Sequence, residues 1–224
     1  MKVVVRIGGS VVASPPTAEI IAEYAELLER LEKQKHKLVV VVGGGSVARD
    51  FIELAQDLSL NETGQDKVAI SVSRLFAQLF VLKLGDLSSN FVPRTVDEAV
   101  KLFGRGKIVI MGGVKPGMTT DTVSAMIAEK IAADLLVKAS DVEGVYTRDP
   151  KKYDDTEKID HLSFDDLGAL FELDEHRAGI HQILDPKAVR VLQKCRIRMI
   201  VVNGFKPENV SLALKGEKVG TIIE

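Results

Sequence analysis

The sequence is poor in cysteine, in net charge and in long apolar runs. Its single cysteine, Cys195, rules out an internal disulfide and suits a reducing compartment. Cys195 ends a helix-like run from Ala188 with no candidate base beside it, so it reads as a buried structural thiol. Thirty Lys and Arg face 32 Asp and Glu, a formal charge of −2, so no overall field draws the chain to nucleic acid or anionic lipid. The first apolar run is broken by Arg6 and followed at once by glycines, the pattern of neither a signal peptide nor a membrane span. The other apolar runs read as too short to cross a bilayer. The expectation is a cytoplasmic chain with no membrane or nucleic-acid partner. No repeat or low-complexity segment occurs. Two fingerprints are also missing: Gly43-Gly44-Gly45 is not G-x-G-x-x-G, and no G-x-x-x-x-G-K-[ST] is present.

What is there is the balance of a globular protein, with 46% apolar and 28% charged residues over 224 positions. The length fits a single domain, 1–224. Short β-branched runs (Val3 to Val5, Leu38 to Val42, Ile108 to Ile110, Leu135 to Val137, Met199 to Val202) alternate with longer amphipathic stretches. Ile20, Tyr24, Leu27, Leu28 and Leu31 repeat at helical spacing. Leu75, Phe76, Leu79, Phe80 and Leu82 predict a helix apolar enough to be buried or to sit at a subunit interface. Thr119 to Ala132 predicts a third helix. Val142 to Asp149 reads as a strand, a turn at Gly144 and a short return, and Pro150 to Asp160 as a surface loop. Together these predict a three-layer α/β/α sandwich with a mostly parallel central sheet. Two lobes are expected, roughly 1–120 and 121–224.

Three of the strand-like runs lead directly into glycines: Gly8-Gly9-Ser10, Gly43-Gly44-Gly45-Ser46 and Gly112-Gly113. In parallel sheets, ligands gather beyond the carboxyl ends of the strands. Glycine there lets backbone N–H groups approach an anion, and a following helix start adds partial positive charge. One such loop is ordinary turn chemistry. Three on one sheet edge, in a chain without basic excess, point to a ligand carrying several phosphates.

These segments carry a resemblance. Arg6-Ile7-Gly8-Gly9-Ser10, Val41 to Ser46 and Asp141-Val142-Glu143-Gly144-Val145-Tyr146-Thr147-Arg148-Asp149-Pro150 are similar to the three signature segments of the amino acid kinase family, in the family's order. Gly112 to Asp121 resembles the acceptor loop of the family's UMP-phosphorylating branch, in its short archaeal form. The resemblance implies transfer of the γ-phosphoryl of ATP to UMP, with Mg2+ carried on the ATP, in a homo-oligomer that is expected to be a hexamer. Kinases of another small phosphate or carboxylate acceptor, and a non-catalytic nucleotide or oxyanion carrier, are the competing readings.

The resemblance also implies roles. ATP is expected over Gly9, Ser10, Gly45 and Arg49, with Ser140, Tyr146 and Asp149 on its adenosine side. UMP is expected against Gly44, Asp66 and the loop Val114, Lys115, Pro116, Gly117, Met118, Thr119 and Thr120. A sugar diol suits a bidentate acceptor, which an ionised Asp66 supplies; Asp66 also reads as a solvated helix-start residue. Arg49 fits phosphate oxygens with its planar fork, or pairs with Glu53 one turn on. Arg6, Asp121, Lys138 and Asp185 are the expected catalytic group. Asp185, before Pro186, equally reads as a helix N-cap. Tyr146 packs on a base or simply packs. Arg6 stands where the family usually has Lys, and Glu143 where it has Asp.

Overall fold

In the computed structural model, residues 1–150, 152–153, 155–167 and 183–224 are described. The β-branched runs become the strands β1 (Lys2–Ile7), β2 (Lys37–Val42), β3 (Val109–Met111), β4 (Leu135–Ser140) and β8 (Met199–Asn203), counted in chain order. Valine and isoleucine suit a pleated surface covered on both sides, and beyond the first residue of each strand almost every position here is buried. A seven-stranded sheet runs in the order β3-β2-β1-β4-β8-β9-β7. Its first five strands pair in parallel. Strand β9 (Thr221–Ile223) returns antiparallel on β8, and β7 (His161–Leu162) closes the edge parallel to β9. One sheet therefore joins both halves of the sequence.

Alternation along each strand divides the interior into two layers. Val3, Val5 and Ile7 face the helices α2 (Ala18–Lys33) and α4 (Glu62–Leu84), with Tyr24, Leu27, Leu28 and Phe80 fully buried among them. Val4, Val39, Val41 and Leu136 face α5 (Val96–Phe103), α6 (Thr120–Ile131) and α7 (Pro186–Cys195). The described residues also form α1 (Gly9–Val12), α3 (Gly45–Asp57) and α8 (Glu208–Lys215). The buried Tyr24 hydroxyl donates to Gly204 O at 2.7 Å, which fastens α2 to the turn after β8. That bond also satisfies a polar group whose burial alone would be costly.

Four sequence expectations need correction. The apolar helix is not buried all round: Phe76 and Phe80 face the sheet, whereas Leu75, Leu79 and Leu82 are 59%, 40% and 70% exposed. Successive helical residues turn by about 100°, so a helix with apolar residues on every side must leave some of them outside. The apolar runs are also longer than they read. Glu62–Leu87, with mean hydropathy 1.5 in its most apolar window, is long and apolar enough to cross a membrane by length and composition, yet it packs here as one layer of the sandwich. The return strand for β5 (Val145–Tyr146) is not within Val142 to Asp149. It is β6 (Lys158–Ile159), inside the segment expected to be a plain loop. Cys195 is half-buried rather than buried: its Sγ lies 3.8 Å from Leu192 O, and partial burial pushes the thiol pKa up.

Candidate active site

The sheet delivers all three glycine turns to one edge. Gly8 N donates to Ala139 O at 2.8 Å, and Gly43 N to Ile7 O at 3.0 Å, which ties the turns to β4 and β1. The first two turns touch backbone to backbone. A Cβ on Gly9 would lie 2.0 Å from Gly45 N, and Gly45 itself has φ +58°. No side chain fits there, so two helix starts, those of α1 and α3, are brought together, and neither N-cap glycine, Gly8 or Gly44, carries a side chain to cap them. Ser14 Oγ accepts from Ser46 N at 2.6 Å and Ser46 Oγ donates to Ala13 O at 3.0 Å, bracing the pair.

Beside these turns lies a cavity of about 600 Å³ lined by Gly44, Arg49, Asp66, Lys115, Gly117, Met118, Thr119 and Thr120. It brings together most of the expected acceptor residues; Val114 and Pro116 are not in its lining. Gly113, from the expected acceptor loop, also lines it; sequence reasoning missed Ala48, Ile52, Ala69, Ile70 and Ser73, which complete it. The helical spacing Asp66, Ala69, Ile70, Ser73 was the available signal. Asp66 Oδ2 accepts from Gly117 N at 2.7 Å, so the carboxylate already holds the loop opposite. Arg49 is exposed on the cavity wall and makes no ion pair with Glu53.

Strand register explains the charged cluster at the inner end. Arg6 and Lys138 are lateral neighbours on β1 and β4, and alternation places them on the α6 face above Val4 and Leu136. Asp121, in the first turn of α6, meets both. Its Oδ2 accepts from Lys138 Nζ at 2.9 Å, and its Oδ1 faces Arg6 Nε at 3.0 Å without hydrogen-bond alignment. Arg6 Nη2 donates to Thr120 Oγ1 at 3.2 Å. Lys138 also donates to Ile183 O. Its side chain is 3% exposed, and burial pushes its pKa down to about 8, with Asp121 opposing and Arg6 reinforcing the shift. Two cations thus close around Asp121 behind Thr120, which lines the cavity, and Asp185 also acts electrostatically on Lys138.

Asp185 is built differently. It caps α7 by accepting from Lys187 N at 2.9 Å and Ala188 N at 3.0 Å. It also accepts from Thr122 Oγ1 at 2.7 Å and from Thr119 Oγ1. Half-burial alone would raise its pKa; the four donors outweigh that and lower it. The carboxylate thereby joins the starts of α6 and α7.

Across the sheet, Ser140 ends β4 with Oγ donating to Asp141 Oδ1 at 3.3 Å, Tyr146 is half-buried on β5, and Asp149 is buried. Glu143 lies at the surface, where Asn203 Nδ2 donates to its Oε1 at 2.7 Å. These residues lie at the end of β4 and on the segment through β5 that follows it, and they do not line the cavity beside Asp66. Ser10 and Gly9 lie on α1 and do not line that cavity; Gly9 packs against the second glycine turn.

A parallel sheet with paired glycine turns beside the Arg6, Asp121 and Lys138 cluster defines a phosphoryl-handling enzyme class. The sequence matches the amino acid kinase family over residues 1–203, and the chain belongs to that family. Its full-length relatives include the uridylate kinase of Methanocaldococcus jannaschii, 39% identical with 100% of each chain covered. That of Haloarcula marismortui is 41% identical, covering 100% of this chain and 98% of the relative. The crystal structure of uridylate kinase from Archaeoglobus fulgidus superposes with a TM-score of 0.89 at 37% identity, over 100% of both chains.

Proposed function

We propose that this protein transfers the γ-phosphoryl of ATP to UMP, giving UDP and ADP, as a cytoplasmic step of pyrimidine nucleotide synthesis. The observation that carries the proposal is the cavity in which Asp66, Arg49 and the 115–120 loop share walls with the glycine turn at Gly44. UMP lies with its ribose on Asp66 and its phosphate on the hydroxyls and N–H groups of the 114–120 loop. ATP phosphates rest over Gly9, Ser10 and Gly45, with Ser140, Tyr146 and Asp149 toward the adenosine. Residues 1–120 thus supply the acceptor lobe and 121–224 the ATP lobe.

Phosphoryl transfer needs positioning and positive charge more than covalent help. Arg6 and Lys138, held by Asp121, stabilise charge on the migrating group, and Arg49 spans the junction of the two nucleotides. Asp185 acts at one remove, by setting Thr119 and the start of α6. Mg2+ enters on the ATP phosphates, where it neutralises charge. Among the described residues no cluster of three or more His, Cys, Asp or Glu offers it a separate cage. We also propose a homo-oligomer, a hexamer, in which the stripe Leu75, Leu79 and Leu82 is covered by a second copy. Light scattering of the parent and of Leu79→Lys reads this directly.

The deciding experiment is ADP release with Mg2+ and ATP across UMP, CMP, dCMP, carbamate and isopentenyl phosphate. Turnover strongest with UMP is expected. Turnover with another acceptor, or ATP and UMP held without turnover, would overturn the assignment.

A further inference from the structure

Helix α4 makes a second set of contacts to the acceptor loop, eight residues beyond Asp66. Arg74 Nε donates to Gly113 O at 2.9 Å, and its Nη2 donates to Val114 O at 3.1 Å and Arg94 O at 3.3 Å. The preceding residue completes the grip: Ser73 Oγ accepts from Gly113 N at 2.9 Å. Backbone contact leaves no slack, since a Cβ on Gly112 would lie 2.8 Å from Arg74 N. A guanidinium spends its donors here on three main-chain carbonyls instead of on a carboxylate or a phosphate. Its planar fork suits that task, whereas a lysine ammonium is a single point.

The loop is therefore held at both ends by one rigid element. Asp66 takes Gly117 N, and Ser73 with Arg74 takes Gly113 and Val114. Eight helical residues rise by about 12 Å, so the two grips are set apart by a fixed length of helix. Arg94 O, on the segment leading into α5, is drawn into the same fork, which ties the loop to a third element.

We propose that Arg74 is a positioning residue that fixes the distance between the sugar-binding carboxylate and the loop that grips the acceptor phosphate, and so selects acceptors of nucleoside monophosphate length. The inference rests on the proposed UMP site and adds to it a residue that touches no substrate. Arg74 acts by orienting the carbonyls of Gly113 and Val114, which turns the following N–H groups and hydroxyls toward the phosphate.

The test compares UMP and uridine binding by calorimetry, together with steady-state kinetics, in the parent, Arg74→Gln and Arg74→Lys. Loss of charge-assisted bonds to two loop carbonyls is expected to weaken UMP binding and raise KM for UMP roughly 10- to 100-fold in Arg74→Gln. Uridine affinity, KM for ATP and kcat at saturating UMP should stay within about three-fold, because Asp66 and the glycine turns at Gly8-Gly9 and Gly43 to Gly45 are untouched. Arg74→Lys should fall between the two. Equal losses for UMP and uridine would mean that α4 itself has shifted, and would overturn the proposal. So would an unchanged KM for UMP in a folded Arg74→Gln protein. A parent that turns over another acceptor but neither binds nor phosphorylates UMP would instead remove the underlying site assignment, and this inference with it.

Discussion

Asp121 and Asp185 both stand at helix starts, and the sequence offers them as an equivalent pair. The structure gives them unlike surroundings. Asp121 sits between two buried or half-buried cations and has one oxygen facing Arg6 without an aligned hydrogen bond. Asp185 takes its four hydrogen bonds from neutral donors, three on Oδ1 and one on Oδ2. The first arrangement stores charge next to a cavity; the second fastens two helices. A carboxylate's position in a helix thus says less about its work than the charge of its partners.

The sharpest test of that difference is Asp121→Asn. Without its negative charge the two cations repel and lose their anchor, and kcat is expected to fall roughly 100-fold or more. A thermal melt run alongside separates this from unfolding. If kcat stays within a few-fold, the charged cluster has no role in the chemistry.

The next test uses pH. With the Lys138 pKa near 8, the ammonium loses its proton as pH rises through that value, and log kcat should decline by up to one unit per pH unit above it. Stability should move the other way. The unfolded lysine titrates near 10.5, so between about 8 and 10.5 the unfolded chain binds more protons. This residue's contribution to unfolding free energy therefore rises over that window. Lys138→Arg should shift the decline in kcat out of the accessible range; an unchanged profile would assign the break to another group.

Asp185→Ala ranks third. Loss of the cap and of the threonine bonds should cost about 1–2 kcal/mol of stability, read by denaturant unfolding. The accompanying loss in kcat should be far smaller than for Asp121→Asn, and equal losses would erase the contrast between the two carboxylates. The smallest effect is expected for Arg6→Lys, which restores the residue usual in the family. Charge is kept and only the bond to Thr120 Oγ1 is lost, so kcat should change by about ten-fold at most. A larger loss would show that the fork, and not the charge alone, is used.

Much of the fold was legible because local pattern and burial agree. The five parallel strands are runs of Val, Ile and Leu that have only one comfortable environment, between two helical layers. Strands β7 and β9 were not legible: two or three residues such as His161-Leu162 carry no period, and only pairing across the sequence makes them strands. The same holds for β6, whose partner Val145–Tyr146 lies beyond an intervening charged stretch. In the site, glycines and charged residues announced themselves by type, whereas Ala48 on α3 and Ala69 and Ile70 on α4 are ordinary apolar residues that enter the wall only through the packing of those two helices. Arg74 was invisible for a related reason, since its partners are main-chain carbonyls that every residue possesses. The double role of Asp185 as cap and tether needed the threonines on α6 to be brought within reach.

The side-by-side register of Arg6 and Lys138 makes the site sensitive to parity. Inserting or deleting one residue between Val3 and Arg6 would leave β1 as apolar as before and still able to pair with β2 and β4. It would also rotate the guanidinium to the opposite layer, among Tyr24 and Leu28, and strand Asp121 with a single cation. A chain altered in that way would keep its outline and lose its charge arrangement, so indels in this strand should be far less tolerated than substitutions.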